Sequence, residues 1–143
     1  MSLYGLSQRT TSGTAATPSW EVRSTSTNKP RLMEVGISQN VGTAGVYGLG
    51  RPAAIGLTPT SPQNFVAEND AGAPTSQTTA AVAWTTAPTV PTNFNRRISC
   101  PANVGAGVIW TFPRGFDIAT SNSVIIWIIA TAPVCDVWGV VDE

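Results

Sequence analysis

Residues 124–130 read Val-Ile-Ile-Trp-Ile-Ile-Ala, seven positions without a charge. β-Branched and aromatic side chains suit a pleated strand and lose rotamer freedom in a helix, so the run predicts a strand. Neither of its alternating faces is polar, and both therefore need cover. The domain core supplies one side. A second strand layer or a neighbouring subunit is the expected source of the other, which makes Ile126, Trp127 and Ile128 candidates for packing between copies. The run is far short of the roughly 20 apolar residues that cross a membrane as a helix, and no membrane partner is expected.

The rest of the chain supports an all-β reading. At 143 residues it is long enough for one domain with a core of its own. Only 11% of residues are charged, against about 25% in typical soluble proteins, and so sparse a charged surface suggests cover by other protein. Eight basic and eight acidic residues cancel, so no net field favours nucleic acid. Cys100 and Cys135 form no CxxC pair, and with no histidine in the chain the usual zinc sets cannot be assembled. Buried free thiols are expected in preference to a disulfide, and no cofactor is implied. The opening Met-Ser-Leu-Tyr-Gly-Leu-Ser lacks the basic start and apolar core of a secretion signal, which leads us to expect synthesis and folding in a cytoplasm.

Residues 1–19 are rich in Thr, Ser, Ala and Gly and read as a flexible N-terminal arm, because such a segment buries too little to offset its ordering entropy. Leu3, Tyr4, Leu6 and Arg9 are its candidate anchoring residues, ordering on a partner surface. Residues 20–143 form the expected β domain. Trp20 and Val22 alternate with polar neighbours; Met33, Val35 and Ile37 share a face, with Leu32 on the other; Val108, Trp110 and Phe112 make an inward row. Val82 and Trp84 also face together. Residues 113–115 read as a tight turn, and residues 58–74 as a long functional or exposed loop. The last strand divides Cys135, Val137 and Val141 from Asp136, Trp138 and Val140. Eight to ten short strands with Gly, Pro or Asn between them predict an antiparallel sandwich, with a jelly roll favoured over an immunoglobulin-like Greek key.

Catalytic chemistry has little material. The absence of histidine removes a Ser-His-Asp triad. Asp117 and Asp136 are the one carboxylate pair worth weighing for glycoside hydrolysis, and ordinary solvated faces explain them better. The Gly105-Ala106-Gly107 fragment lies in no βαβ context and carries no phosphate-binding meaning. Of the five tryptophans, Trp84, Trp110 and Trp127 fall on apolar rows. Trp20 and Trp138 are the candidate ligand platforms, since a sugar face stacks on an exposed indole.

Several segments carry a resemblance: Leu49-Gly50-Arg51-Pro52-Ala53, Trp84 with Pro88-Thr89-Val90-Pro91, residues 110–116 (Trp-Thr-Phe-Pro-Arg-Gly-Phe), and residues 136–143 (Asp-Val-Trp-Gly-Val-Val-Asp-Glu). In texture and segment order, residues 20–143 resemble the jelly-roll head decoration, or cement, proteins of tailed bacteriophages. The resemblance implies a non-enzymatic homotrimer on the virion surface that clamps the major capsid protein of the phage head, holding on by a terminal arm. The same texture occurs in phage fibre and tail-tip modules, which leaves a receptor- or carbohydrate-binding module as the alternative.

Overall fold

The computed structural model describes residues 2–143, and the chain is all-β. Its strands are β1 (Leu3–Arg9), β2 (Thr17–Arg23), β3 (Arg31–Gln39), β4 (Gly45–Gly50), β5 (Gln63–Asn64), β6 (Val66–Ala67), β7 (Thr79–Ala81), β8 (Arg96–Cys100), β9 (Gly107–Asp117), β10 (Ser123–Ile128) and β11 (Cys135–Asp142). They form a five-stranded sheet, β6-β1-β11-β3-β9, and a six-stranded sheet, β5-β7-β2-β10-β4-β8. Every pairing is antiparallel. Side chains from both sheets meet in one core, where Trp20, Val22, Tyr47, Leu49, Val124 and Ile126 oppose Tyr4, Leu32, Val35, Ile37, Val137 and Val141.

The expected flexible arm is instead part of the five-stranded sheet. Leu3–Arg9 is a strand between β6 and β11, and each of its residues pairs with β11, from Leu3 opposite Asp142 to Arg9 opposite Asp136. Tyr4 is buried at 3% exposure and Leu6 packs against the core. Tyr4, Leu6 and Gln8 point inward, and Gln8 accepts the Trp20 indole N–H at 2.8 Å. Backbone pairing along all of β11 and at two residues of β6, together with burial of Tyr4 and Leu6 against the core, orders this segment. Of residues 1–19 only Met1 lies outside the described residues.

β10 is buried on both faces, as its composition requires, but its cover comes from the same chain. Val124, Ile126 and Ile128 face the core. Ile125 and Trp127, on the opposite face, are equally sealed by two loops, residues 51–62 and 82–95, that lie over the outside of the six-stranded sheet. Bridges between Ala54 and Thr89 and between Pro59 and Trp84 join the loops to each other. Two hydrogen bonds pin this layer, Arg23 Nη2 to the Gly56 carbonyl at 2.8 Å and Trp84 Nε1 to Glu21 Oε2 at 2.5 Å, while Trp127 Nε1 bonds the Gly50 carbonyl at the end of β4 beneath it at 3.2 Å. Glu21 is fully buried, with Arg23 as its ion partner at 3.3 Å. Ile126, Trp127 and Ile128 are therefore interior residues of one chain, and the expectation that they pack between copies is overturned.

Three further readings shift because of irregular pairing. Met33 has no partner on either side, as the register jumps from Leu32 to Glu34 against β9 and between Val140 and Val141 against β11. This bulge flips the alternation, so Leu32 joins Val35 and Ile37 in the core while Met33 leaves it. Residues 113–115 do not end a strand; they bulge within β9, which runs on to Asp117, and Gly115 takes the left-handed conformation (φ +72°) there. The loop at 58–74 contains β5 and β6, which extend one sheet each, with Phe65 buried between them at a ring distance of 6.4 Å from Trp20. Val108, Trp110 and Phe112 do point inward, the first two at the edge of the core.

Candidate functional site

The outer face of the five-stranded sheet can be read from the pairing register, since side chains alternate across a strand. One row runs Val66, Gly5, Val140, Glu34, Thr111. The next is Ser7, Trp138, Gly36, Ile109, and a third is Arg9, Asp136, Ser38, Gly107. Trp138 lies at the centre. Gly36 has no side chain to lift it off the sheet, and a Cβ there would overlap the indole, so the ring rests on the backbone of β3. Its Nε1 donates to Glu34 Oε1 at 3.1 Å. Shallow clefts open on either side, one lined by Gly5, Ser7, Val66, Glu68 and Val140, the other by Ser38, Gly105, Gly107 and Ile109. Val66 and Ile109 stand 66% and 56% exposed. Small residues and a flat indole give a level surface, apolar at its centre and acidic along one side through Glu34 and Glu68.

Of the two candidate platforms, only Trp138 is accessible. Trp20 is 1% exposed and occupies the core against Gly139, where a Cβ would meet its ring. Alternation alone cannot distinguish the two faces of a strand that is covered on both, and β2 is such a strand. Arg9, on the same outer face as Trp138, pairs with Asp136 at 2.8 Å with both side chains more than half exposed. The hydrogen bond from Arg9 holds the Asp136 carboxyl below its ordinary range, and the reciprocal bond raises the Arg9 guanidinium. Leu3, Tyr4 and Leu6 are parts of β1 and do not form a free anchor.

A patch of opposite character lies where the edge strands β8 and β9 approach each other. Phe112 and Phe116 meet edge to face at 5.4 Å. The Arg96 guanidinium sits 5.5 Å from the Phe112 ring and that of Arg51 sits 4.2 Å from the Phe116 ring. Arg31 bonds Asp117 at 3.1 Å. Arg114, exposed on the β9 bulge, makes no ion pair among the described residues. The sequence signal for this patch, aromatics at 112 and 116 around a Pro-Arg-Gly bulge, was legible only as a turn.

Potentially reactive groups elsewhere are buried or apart. Asp117 and Asp136 lie near opposite ends of β3, in register with Arg31 and Ser38, about 20 Å apart at strand rise, so they form no catalytic pair. Cys100 and Cys135 are free and buried. Burial pushes both thiols up, which keeps them protonated and unreactive. Tyr47 contacts the Cys135 sulfur at 3.1 Å, and burial pushes its hydroxyl up as well. Among the described residues no three His, Cys, Asp or Glu side chains converge as a metal site, and no helix is long and apolar enough to cross a membrane.

No protein-family model matches this chain, and neither a curated protein nor a solved structure matches it.

Proposed function

We propose that this chain is a non-enzymatic assembly protein, a decoration or cement subunit of a tailed-bacteriophage head that acts as a homotrimer on the virion surface and binds the major capsid protein. The observation carrying this reading is the open outer face of the five-stranded sheet, where Val66, Val140, Trp138 and Ile109 form a level apolar surface within a single small domain. Flat apolar faces of this kind mark protein contact. The strand order supports the jelly roll that the resemblance implies. β1 pairs with β11, β2 with β10, β3 with β9 and β4 with β8, as one folded-back ribbon. Rolling that ribbon sets β11 beside β3 and β10 beside β4, two Greek keys in the jelly-roll sense. On this reading β5, β6 and β7 are an insertion at the ribbon's tip.

A protein that binds only the assembled shell stabilises it by mass action, by about 2.7 kcal/mol at a hundredfold excess over Kd. Attachment runs through a folded face, since β1 is not available as an arm. The test is co-sedimentation of the purified protein with empty phage heads. Saturable binding is expected; pelleting with host cells or immobilised glycans and not with heads would overturn it. One observation favours the alternative of a fibre or tail-tip carbohydrate module: the Trp138 indole lies flat on the sheet, as a sugar platform would. A glycan-array signal lost in Trp138→Ala would select it.

A further inference from the structure

Resting on the reading of this chain as a self-assembling subunit, we infer that copies join head to tail, the acidic apolar face around Trp138 of one copy receiving the arginine-rich β8/β9 edge of the next. The net charge is zero, yet the charges are segregated. Glu34 and Glu68 flank Trp138 without an arginine or lysine partner among the described residues, while Arg9 on the same face is engaged by Asp136. Arg51 and Arg96 lie over the Phe116 and Phe112 rings, Arg114 is exposed between those two phenylalanines along β9, and Asp117 is engaged by Arg31. Face-to-face pairing through a twofold axis would bring the Glu34 and Glu68 carboxylates of two copies together, at a like-charge cost. Edge-to-edge pairing would do the same with the arginines.

Joining unlike patches instead matches carboxylates with guanidinium forks and places an arginine over the open Trp138 ring, where cation and π face attract. Val66 and Ile109 are buried in the same step. A heterologous contact of this kind uses two different surfaces of each copy, and it builds a ring where its rotation closes and an open filament where it does not, rather than a twofold dimer.

Two exposed residues test it. Glu68→Arg and Arg114→Glu each place like charges across every contact, and each should raise the dissociation constant of the oligomer at least about tenfold, with the circular-dichroism melt unchanged. The double variant Glu68→Arg/Arg114→Glu restores opposite charges and should recover the wild-type mass in sedimentation velocity. Raising salt from about 0.1 to 1 M should weaken the wild type, because the screening length falls from about 10 to 3 Å. An oligomer indifferent to both single reversals and to salt, a closed dimer, or a double variant no better than the singles would overturn the head-to-tail contact while leaving an assembly role intact. A protein that stays monomeric and binds no heads would overturn both.

Discussion

Glu143 shows how a charge can be set into a surface that carries few. Its carboxylate accepts from Ser76 Oγ at 2.5 Å, the Gln77 amide at 2.8 Å, Thr78 Oγ1 at 3.1 Å and Asn28 Nδ2 at 3.0 Å, and so ties the end of β11 to the segment before β7. Partial burial works to raise its pKa, but these hydrogen bonds outweigh burial and hold the carboxyl below its ordinary 4.5. A carboxyl with a depressed folded pKa stabilises the fold above its unfolded value, and that stabilisation is lost as pH falls through the folded value. Glu143→Gln should therefore cost about 1–2 kcal/mol at pH 7, as expected for hydrogen bonds to a partly buried charged group. The gap between wild type and variant should close as the pH drops below about 4.5, where urea unfolding at pH 7 and pH 3 provides the comparison. A gap of the same size at both values would contradict this account.

At the scale of elements, β1 and the covering loops have the largest consequences. β1 is the second strand of its sheet, so its loss would strip one edge from β11 and uncover the ring of Trp20, whose indole N–H bonds Gln8. Removing residues 2–10 should abolish cooperative unfolding and leave an aggregating chain, read by circular dichroism and sedimentation, rather than trim an ornamental tail. A truncated protein that kept its melting transition would show that β11 and β3 suffice as a sheet. The two loops over β10 work differently. They carry little regular structure, yet Trp84 and Arg23 fix them to the sheet through Glu21 and Gly56. They give the fold a third layer on one side only, which leaves the opposite outer face, around Trp138, uncovered.

For the whole molecule, the controlling fact is that nearly every strand pair joins distant segments, above all β1 with β11, which brings Leu3 opposite Asp142. Loop-closure entropy must be met before such contacts reward it, which slows folding. Stopped-flow refolding should therefore proceed on the millisecond-to-second scale of other non-local β domains, and full recovery within microseconds would contradict it. The same topology makes the sandwich a single cooperative body, consistent with one core shared by both sheets. The segregation of acidic and basic patches also belongs to this scale, since residues 34, 68 and 138 on one side and 51, 96 and 114 on the other are dispersed along the chain.

By itself the sequence determined the all-β class, a strand within residues 124–130 that forms as Ser123–Ile128 with both faces covered, the alternation of β11 and the buried state of the two thiols. Each follows from local side-chain chemistry: β-branched residues favour the pleat, and a period of two reports which face is dry. Tertiary structure decided what shields β10, because a covering loop and a neighbouring subunit impose the same pattern on the strand they cover. It decided that residues 3–9 are a strand, since their stability comes from pairing with β11 and β6 and from a core that only the fold brings to Tyr4 and Leu6. It moved Leu32 inward and Met33 out, because a bulge is a property of a pair of strands. And it separated Trp20 from Trp138, similar in sequence context, by placing one against Gly139 inside the sandwich and the other across Gly36 on its open face.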